Sequence, residues 1–256
     1  MKKVSYTLIA CLLSVGLAAC SSNDAKQDKQ NDSAKSKETT QADQKEQQKQ
    51  MEEMQKKLDA QKIDDQKVVA TVNKDKITGS EYNSALSTIQ GQLQQSGQDP
   101  TSKEGAKAVK KQTIDALVGQ ELILQDADKK GYKASDKQVD KQLKEEKKQF
   151  KDNAQFEEAL KKSGLTMDQL KNDIADSIKY SQYVDKEIKS ASVSEKDVKA
   201  YYDQYAEQMK KQKQKASDFK DVKSQIKKQL ESQEKQKEVQ KEIDQLKKAA
   251  KIDVSI

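Results

Sequence analysis

The apolar positions of this chain recur mostly every three or four residues, in segments that begin with a polar residue. Ser or Thr is followed three residues later by Glu or Gln at Thr78, Ser135 and Thr166, and by Asp, a partial match, at Ser194. In this arrangement, the capping box, the two side chains bond to backbone N–H groups at the start of a helix. An apolar stripe at helical spacing follows each cap, so the pattern predicts successive amphipathic helices with short connections.

The most apolar of these helices is predicted over residues 103–130. Its stripe is wider than a simple amphipathic face requires, and Gly131 stands where a glycine often ends a helix. We therefore expect this helix to lie at the centre of the core. Its apolar positions are Val109, Ile114, Leu117, Val118, Leu122, Ile123 and Leu124.

Two short segments have the pattern of strands. The β-branched run Val68–Val72 ends in turn-forming residues 73–76, and residues 252–256 alternate apolar with polar side chains. Because a lone strand is not stable, we expect the two segments to pair. The predicted fold is mainly α, with a small two-stranded sheet that joins the N- and C-terminal ends of the domain.

The only long apolar run lies near the N-terminus. Lys2 and Lys3 precede it, and Leu17-Ala18-Ala19-Cys20 ends it. The run has about 14 residues, whereas a membrane-spanning helix needs about 20, so the layout is typical of an export signal. A cysteine after Leu-Ala-Ala resembles the lipobox of bacterial lipoproteins, which implies cleavage before Cys20 and acylation of its thiol by lipid such as palmitate. The alternative is an ordinary secretory signal with an incidental cysteine.

The composition changes along the chain. Residues 21–50 contain almost no apolar side chains, so this segment cannot bury enough surface to offset its ordering entropy. Met51, Met54 and Leu58 fall at helical spacing, so a fraying helix is expected in the part of the tether that follows. The predicted layout is a lipoprotein signal peptide over residues 1–19, a lipid-anchored disordered tether over residues 20–65, and a helical domain over residues 66–256.

The residue inventory excludes most catalytic chemistry. The chain has no histidine, and its two cysteines are Cys11, inside the signal, and Cys20. The commonest metal ligands and the usual neutral-pH base are therefore missing, so we expect no cofactor, no metal site and no enzyme activity. Carboxylates are plentiful, but adjacent pairs such as Glu157 and Glu158 do not face one another on a helix. The net charge of +6 is spread among acidic neighbours without arginine, which argues against nucleic-acid binding.

Several short sequences follow one another in a specific order between residue 66 and the closing strand. They are residues 69–78, the helix containing Glu121-Leu122-Ile123-Leu124 and ending in Lys129-Lys130-Gly131-Tyr132, Val139-Asp140, residues 156–160, residues 163–166, residues 194–198, Tyr201-Tyr202 and residues 219–226. Each alone is a weak helical pattern. The ordered set resembles the SurA/PrsA-type extracytoplasmic chaperones, the SurA N-terminal domain family, over about residues 66 to 256. The resemblance implies a helical chaperone domain that binds unfolded or nascent exported polypeptides.

The chain departs from this family at one place. Family members often carry a parvulin-type prolyl isomerase domain between the helix of Tyr201-Tyr202 and the helix that starts at Phe219. Here the interval is residues 203–218, whereas such a domain needs about 90 residues or more. Parvulin sites also rely on histidines, which this chain lacks. We therefore predict a family member without the parvulin domain and without isomerase activity.

The candidate peptide-binding residues are aromatic or methionine side chains. Tyrosine has a broad apolar face with a polar edge, and methionine adapts its shape, so both suit the binding of varied chains. The competing interpretation, which their helical spacing favours, is that they pack their helices onto the domain. The candidates are Tyr201, Tyr202, Tyr205, Met209, Phe150 and Phe156.

The sequence thus predicts a membrane-anchored chaperone lipoprotein on the extracytoplasmic face. It would hold exported polypeptides by weak apolar contacts without ATP, and its Lys-rich, Arg-free composition favours a Gram-positive cell membrane. A second copy of the chain, in a homodimer, is a further candidate partner. The alternatives are a surface lipoprotein adaptor with one fixed partner and a peptidyl-prolyl isomerase. Whether the polar segment 232–241 forms a coiled coil is left open.

Overall fold

A computed structural model describes residues 41–189 and 192–256. Residues 46–256 form one compact unit. Of the N-terminal unit, residues 1–45, only the first residues of a helix are described. The predicted signal peptide, the predicted lipidation site Cys20 and the first half of the predicted tether lie outside the described residues.

The described part of the chain is mainly helical, as predicted. Its elements in chain order are α1 (Gln41–Asp59), β1 (Val68–Val72), β2 (Asp75–Thr78), α2 (Gly79–Gln95), α3 (Lys103–Lys129), α4 (Asp136–Lys147), α5 (Asn153–Lys162), α6 (Met167–Glu187), α7 (Glu195–Lys211), α8 (Phe219–Ala249) and β3 (Ile252–Val254). The polar segment 232–241 belongs to the continuous helix α8, which packs on α3 and α7.

The predicted caps begin their helices. Thr78, Thr166 and Ser194 each form a capping box. At Ser194 the shorter Asp197 completes the box, since its carboxylate accepts the Ser194 N–H at 3.0 Å. At Ser135 the backbone N–H donates to Gln138 Oε1 at 3.0 Å. These local side-chain bonds satisfy N–H groups that a helix start leaves without partners.

The sheet confirms the predicted pairing and adds a strand. Its order is β2-β1-β3, and β1 runs antiparallel to both neighbours. Ala70 stands opposite Val254, which joins the two ends of the domain. The additional strand, β2, follows β1 directly through a tight turn, in which Asn73 has a φ of 60°. Asparagine tolerates this left-handed conformation better than most residues.

Three apolar clusters form the core. The first lies between the sheet, α2 and α3 and includes Val69, Leu86 and Val109. The second lies between α4, α5 and α6, and the third joins the C-terminal half of α3 to α6 and α8. Helix α3 contributes to the first and third clusters, which explains the width of its apolar stripe.

A buried tyrosine links the three helices of the third cluster. The Tyr183 side chain on α6 is fully buried, and its hydroxyl lies 2.8 Å from Asp126 Oδ2 on α3 and 3.2 Å from Glu242 Oε1 on α8. Burial, together with the two carboxylates, raises the pKa of the Tyr183 hydroxyl. The hydroxyl therefore stays protonated and donates its single hydrogen to one carboxylate at a time.

Helix α1 lies within the segment predicted to be a disordered tether. It is rich in Gln, Lys and Glu, which are good helix formers, and propensity rather than burial accounts for it. Its C-terminal end contacts the domain, where Gln90 Nε2 donates to the Leu58 carbonyl at 3.2 Å. Just beyond α1, Gln61 Nε2 donates to the Pro100 carbonyl at 2.9 Å. The side chains of Met51 and Met54 stay exposed.

Candidate functional site

Four of the six candidate residues lie on α7, namely Tyr201, Tyr202, Tyr205 and Met209. This helix packs against α8, and residues 212–218 connect the two. Val198 on α7 is fully buried, and Ile226 on α8 is 6% exposed. The apolar spacing of α7 therefore serves packing at Val198, while the residues that follow it in the same stripe are only partly buried.

Several aromatic side chains lie close together where the α7–α8 connection ends beside α7. The Tyr202 ring lies 5.1 Å from the Phe219 ring and 6.3 Å from the Tyr205 ring, measured between centroids. Tyr201 and Met209 follow the same stripe of α7 and are also partly buried. We call these five side chains the aromatic patch. They are Tyr201, Tyr202, Tyr205, Met209 and Phe219.

Two of the tyrosine hydroxyls in the aromatic patch have partners within the chain. The Tyr202 hydroxyl donates to the Ser217 carbonyl at 2.8 Å, and the Tyr201 hydroxyl accepts from Gln229 Nε2 at 2.8 Å. Because these polar ends are satisfied, a ligand that covers the rings does not have to replace bonds to them. The patch thus offers apolar ring surface held in a fixed position.

A lysine lies at the border of the aromatic patch. Lys199 Nζ is 5.6 Å from the centroid of the Tyr202 ring and 5.8 Å from that of Phe219. It also pairs with Asp203 one helical turn further along α7. A cation over the two ring faces stabilises their arrangement, and it keeps the border of the patch polar.

The structure places Phe150 and Phe156 in a different cluster. Phe156 is 4% exposed in the core between α4, α5 and α6. Phe150 is partly buried and meets it edge to face, with 5.4 Å between ring centroids. Lys147 Nζ lies 4.9 Å from the Phe156 ring centroid. In this arrangement the two rings pack against each other and hold α5 on its neighbours.

Sequence reasoning missed Phe219 as a member of the patch. The sequence pattern identifies Phe219 only as the start of the following helix. Its contact with Tyr202 depends on the path of residues 212–218, which carry no apolar pattern of their own. The one signal in the sequence was the aromatic residue that directly follows the polar connection 212–218.

The patch has no groups suited to covalent or metal chemistry. Across residues 41–189 and 192–256, no set of three or more His, Cys, Asp or Glu side chains is placed to hold a metal ion. Burial raises the pKa of Glu121, Glu146 and Asp173, and all three lie on other helices. What the patch can do chemically is bind apolar or aromatic side chains reversibly.

None of the helices in residues 41–189 and 192–256 is both long enough and apolar enough to cross a bilayer.

Comparison with known proteins gives a family match over the N-terminal part of the compact unit. Residues 59–184 match the family described as the SurA-like N-terminal domain. This stretch contains Phe150 and Phe156 and ends before α7, so the aromatic patch lies outside it.

Three relatives are foldases by name. The foldase protein PrsA of Caldanaerobacter subterraneus subsp. tengcongensis is 29% identical over 148 residues, 55% of this chain and 43% of the relative. The foldase protein PrsA of Clostridium perfringens is 33% identical over 153 residues, 56% and 44% of the two chains. The foldase protein PrsA 2 of Bacillus anthracis is 43% identical over 82 residues, 32% and 27%. The matched part thus covers less than half the length of each relative.

Proposed function

We propose, from the match of residues 59–184 to the SurA-like N-terminal domain family, that the chain is a chaperone that binds unfolded exported polypeptides without ATP. The foldase names of three relatives support this class of function. The observation that carries the proposal is the aromatic patch, in which partly buried rings border the α7–α8 connection and the hydroxyls of Tyr201 and Tyr202 already have partners.

The expected strength of binding suits a holding chaperone. Fully burying one large apolar side chain contributes about 1.5–3 kcal/mol, so two client side chains on the patch contribute about 3–6 kcal/mol before the entropy of binding is subtracted. Binding of this strength is weak, because a binding free energy of about 4 kcal/mol corresponds to a dissociation constant of only about 1 mM. A client held in this way is released without an energy source, which suits a compartment outside the cytoplasm.

In this proposal the binding residues are Tyr201, Tyr202, Tyr205 and Met209, together with Phe219. Their rings and thioether tolerate clients of varied sequence. Phe150 and Phe156 take part only if the cluster of α4, α5 and α6 opens, because Phe156 is buried there.

We propose further that the chain has no isomerase activity of its own. Helix α7 ends at Lys211 and α8 begins at Phe219, so residues 212–218 occupy the position where family members often carry a parvulin domain. An assay of prolyl isomerisation in a proline-containing peptide tests this. The proposal predicts the uncatalysed rate, and a rate that rises with chain concentration contradicts it.

The proposed location is the outer face of the cell membrane, through a lipid on Cys20. The supporting observation is the sequence Leu17-Ala18-Ala19-Cys20 after an apolar run that is too short to span a bilayer. The anchor would keep the chaperone where exported chains emerge, and the Arg-free, Lys-rich composition favours a Gram-positive envelope.

The competing function is an adaptor with a single fixed partner, which includes a second copy of this chain. Photo-crosslinking from position 205 in intact cells separates the two functions. A chaperone gives many unrelated exported proteins in small amounts. A single stoichiometric product, or a crosslinked homodimer alone, supports the adaptor and contradicts the chaperone proposal.

A further inference from the structure

Strand β3 leaves one edge of the sheet open. The Ser255 N–H donates to the Val69 carbonyl at 2.8 Å, and the Asn73 N–H donates to the Lys251 carbonyl at 2.7 Å. Backbone groups of alternate residues in an antiparallel strand point to opposite sides. The N–H and C=O groups of Ile252 and Val254 therefore point away from β1. Among the described residues no strand lies on that side, because the order of the sheet is β2-β1-β3.

An open groove of about 320 Å³ lies beside this edge. Its walls are Val254 of β3 and one face of the first half of α3. The Val254 side chain is 46% exposed, and Ile114 lies partly buried on the facing helix. The aliphatic stems of lysines complete the lining, with their charged ends at the border of the groove. The α3 residues are Lys107, Lys110, Lys111, Ile114 and Asp115.

The charge at the groove is unbalanced. Asp115 is the one carboxylate in its lining, and it is paired with Lys111 at 2.5 Å and with Lys247 at 3.8 Å. Within the described part of the chain, neither Lys107 nor Lys110 is in an ion pair. The border of the groove therefore carries two lysine charges that its own residues leave uncompensated.

These three features together indicate one kind of occupant. We propose that the β3 edge binds an extended, acidic segment of another polypeptide as a fourth strand of the sheet. Its backbone would bond to the free N–H and C=O groups of Ile252 and Val254, as in other cases of strand addition. Its groove-facing side chains would be apolar opposite Ile114 and Val254, and acidic beside Lys107 and Lys110.

The chemistry of the edge favours a polypeptide over other occupants. Anionic lipid headgroups would satisfy the lysines, but they have no alternating donors and acceptors to match a strand edge. This site is separate from the aromatic patch and goes beyond the proposed function. Because its test uses no unfolded client, the two proposals can fail independently.

The test uses the full chain and a peptide that fits the groove, acetyl-Glu-Thr-Val-Thr-Val-Thr-Glu-amide. Its control peptide has Lys in place of both Glu residues. We expect the acidic peptide to bind at least about tenfold more tightly, a difference of about 1.4 kcal/mol. In the double variant Lys107→Glu, Lys110→Glu, which changes only exposed side chains, the preference should reverse. Equal binding of both peptides by the parent chain contradicts the proposal.

Amide hydrogen exchange gives the second readout. The acidic peptide should slow exchange at Ile252 and Val254, whereas Asp253 and Ser255, whose N–H groups already face β1, should not change. Protection of Ile252 and Val254 that rises with protein concentration in the absence of peptide would show that a second copy occupies the edge. Binding of anionic lipid vesicles through the lysines, without any peptide effect at Ile252 and Val254, would assign the groove to the membrane. Either result overturns the proposal.

Discussion

The ring of Tyr202 on α7 lies 5.1 Å from the ring of Phe219, the first residue of α8. The hydroxyl of the same tyrosine donates to the Ser217 carbonyl at 2.8 Å, so Tyr202 holds both the end of the connection and the start of the next helix. Tyr202 is thus part of the local structure as well as of the proposed binding surface. Variants of the patch therefore need a measure of folding beside every measure of binding.

Two glycines of α2 should respond oppositely to alanine. A Cβ at Gly79 would lie 1.9 Å from the backbone oxygen of Asp64, whereas one at Gly91 would have no neighbour within 4 Å. Gly79→Ala should lower the free energy of unfolding by about 1–3 kcal/mol through overpacking. Gly91→Ala should raise it by about 0.5–1 kcal/mol, because glycine is unfavourable inside a helix. Urea denaturation measures both, and effects of the same sign would contradict the structure around Gly79.

The hydroxyl of Tyr183 should contribute to stability. Tyr183→Phe leaves Asp126 and Glu242 without their shared donor, and we expect a loss of about 1–2 kcal/mol. Tyr201→Phe is the control, because its hydroxyl bonds to Gln229 at the surface, and its effect should stay within about 0.5 kcal/mol. Thermal unfolding followed by circular dichroism compares the two. Equal losses would show that the buried hydroxyl of Tyr183 contributes no more to stability than the exposed hydroxyl of Tyr201.

The effect of Glu121 on the stability of the fold should depend on pH. Burial, and to a lesser degree the charges of Asp75 and Glu81, raises the pKa of the Glu121 carboxyl in the folded state. The folded protein then binds this proton more tightly than the unfolded chain does, so ionisation at neutral pH destabilises the fold. The effect disappears below the pKa of the unfolded chain, about 4.3.

Glu121→Gln should therefore be more stable than the parent at neutral pH and equal to it in acid. The glutamine keeps an oxygen that accepts the bond from Gln125. Glu158→Gln is the control with the opposite sign, because the pair with Lys162 lowers the pKa of Glu158 and the parent gains stability at neutral pH. Urea denaturation at neutral pH and in acid measures the stability of each variant against the parent. A gain for Glu121→Gln that persists below a pH of about 4 contradicts this explanation.

The proposed lipid anchor depends on one of the two cysteines. Cys20→Ser should abolish incorporation of labelled palmitate into the protein in cells, because no thiol remains at the predicted cleavage site. Cys11→Ser, inside the apolar run, should leave labelling unchanged. Labelling that survives Cys20→Ser, or that is lost with Cys11→Ser, would contradict the assignment of Cys20.

The parts of the fold that depend on neighbouring residues could be predicted from the sequence. The caps at Thr78, Thr166 and Ser194 are contacts across three residues, so their sequence alone identifies them. The pairing of β1 with β3 followed from two apolar patterns that each needed a partner. Strand β2 was missed because Asp75 and Lys76 are exposed and only Ile77 is buried, which leaves too short a pattern to recognise.

The features that depend on the path of the whole chain could not be predicted. Phe156 and Tyr202 have the same kind of side chain and similar local spacing, but one lies in a core between three helices and the other beside a connection. The groove at β3 is lined by α3 and by Val254, which are far apart along the chain, so no single segment of sequence predicts it. Helix α1 was anticipated only as a fraying helix within a disordered segment, because low hydrophobicity predicts the absence of a core rather than the absence of a helix.

Client binding by the aromatic patch is tested most directly by the suppression of aggregation by variants of the patch. A chemically unfolded client is diluted into buffer without ATP, and light scattering is followed with increasing amounts of chaperone. The test variant is Tyr202→Ser, Tyr205→Ser, Met209→Ser, and its control is Met51→Ser, Met54→Ser, which removes exposed apolar side chains from α1. Far-UV circular dichroism and thermal unfolding show that each variant is folded.

If the aromatic patch binds clients, the control should suppress aggregation like the parent chain. The triple variant should need about tenfold more protein for the same effect, which corresponds to a loss of about 1.4 kcal/mol in client binding. A folded triple variant that suppresses aggregation as well as the parent would contradict the assignment of client binding to the aromatic patch.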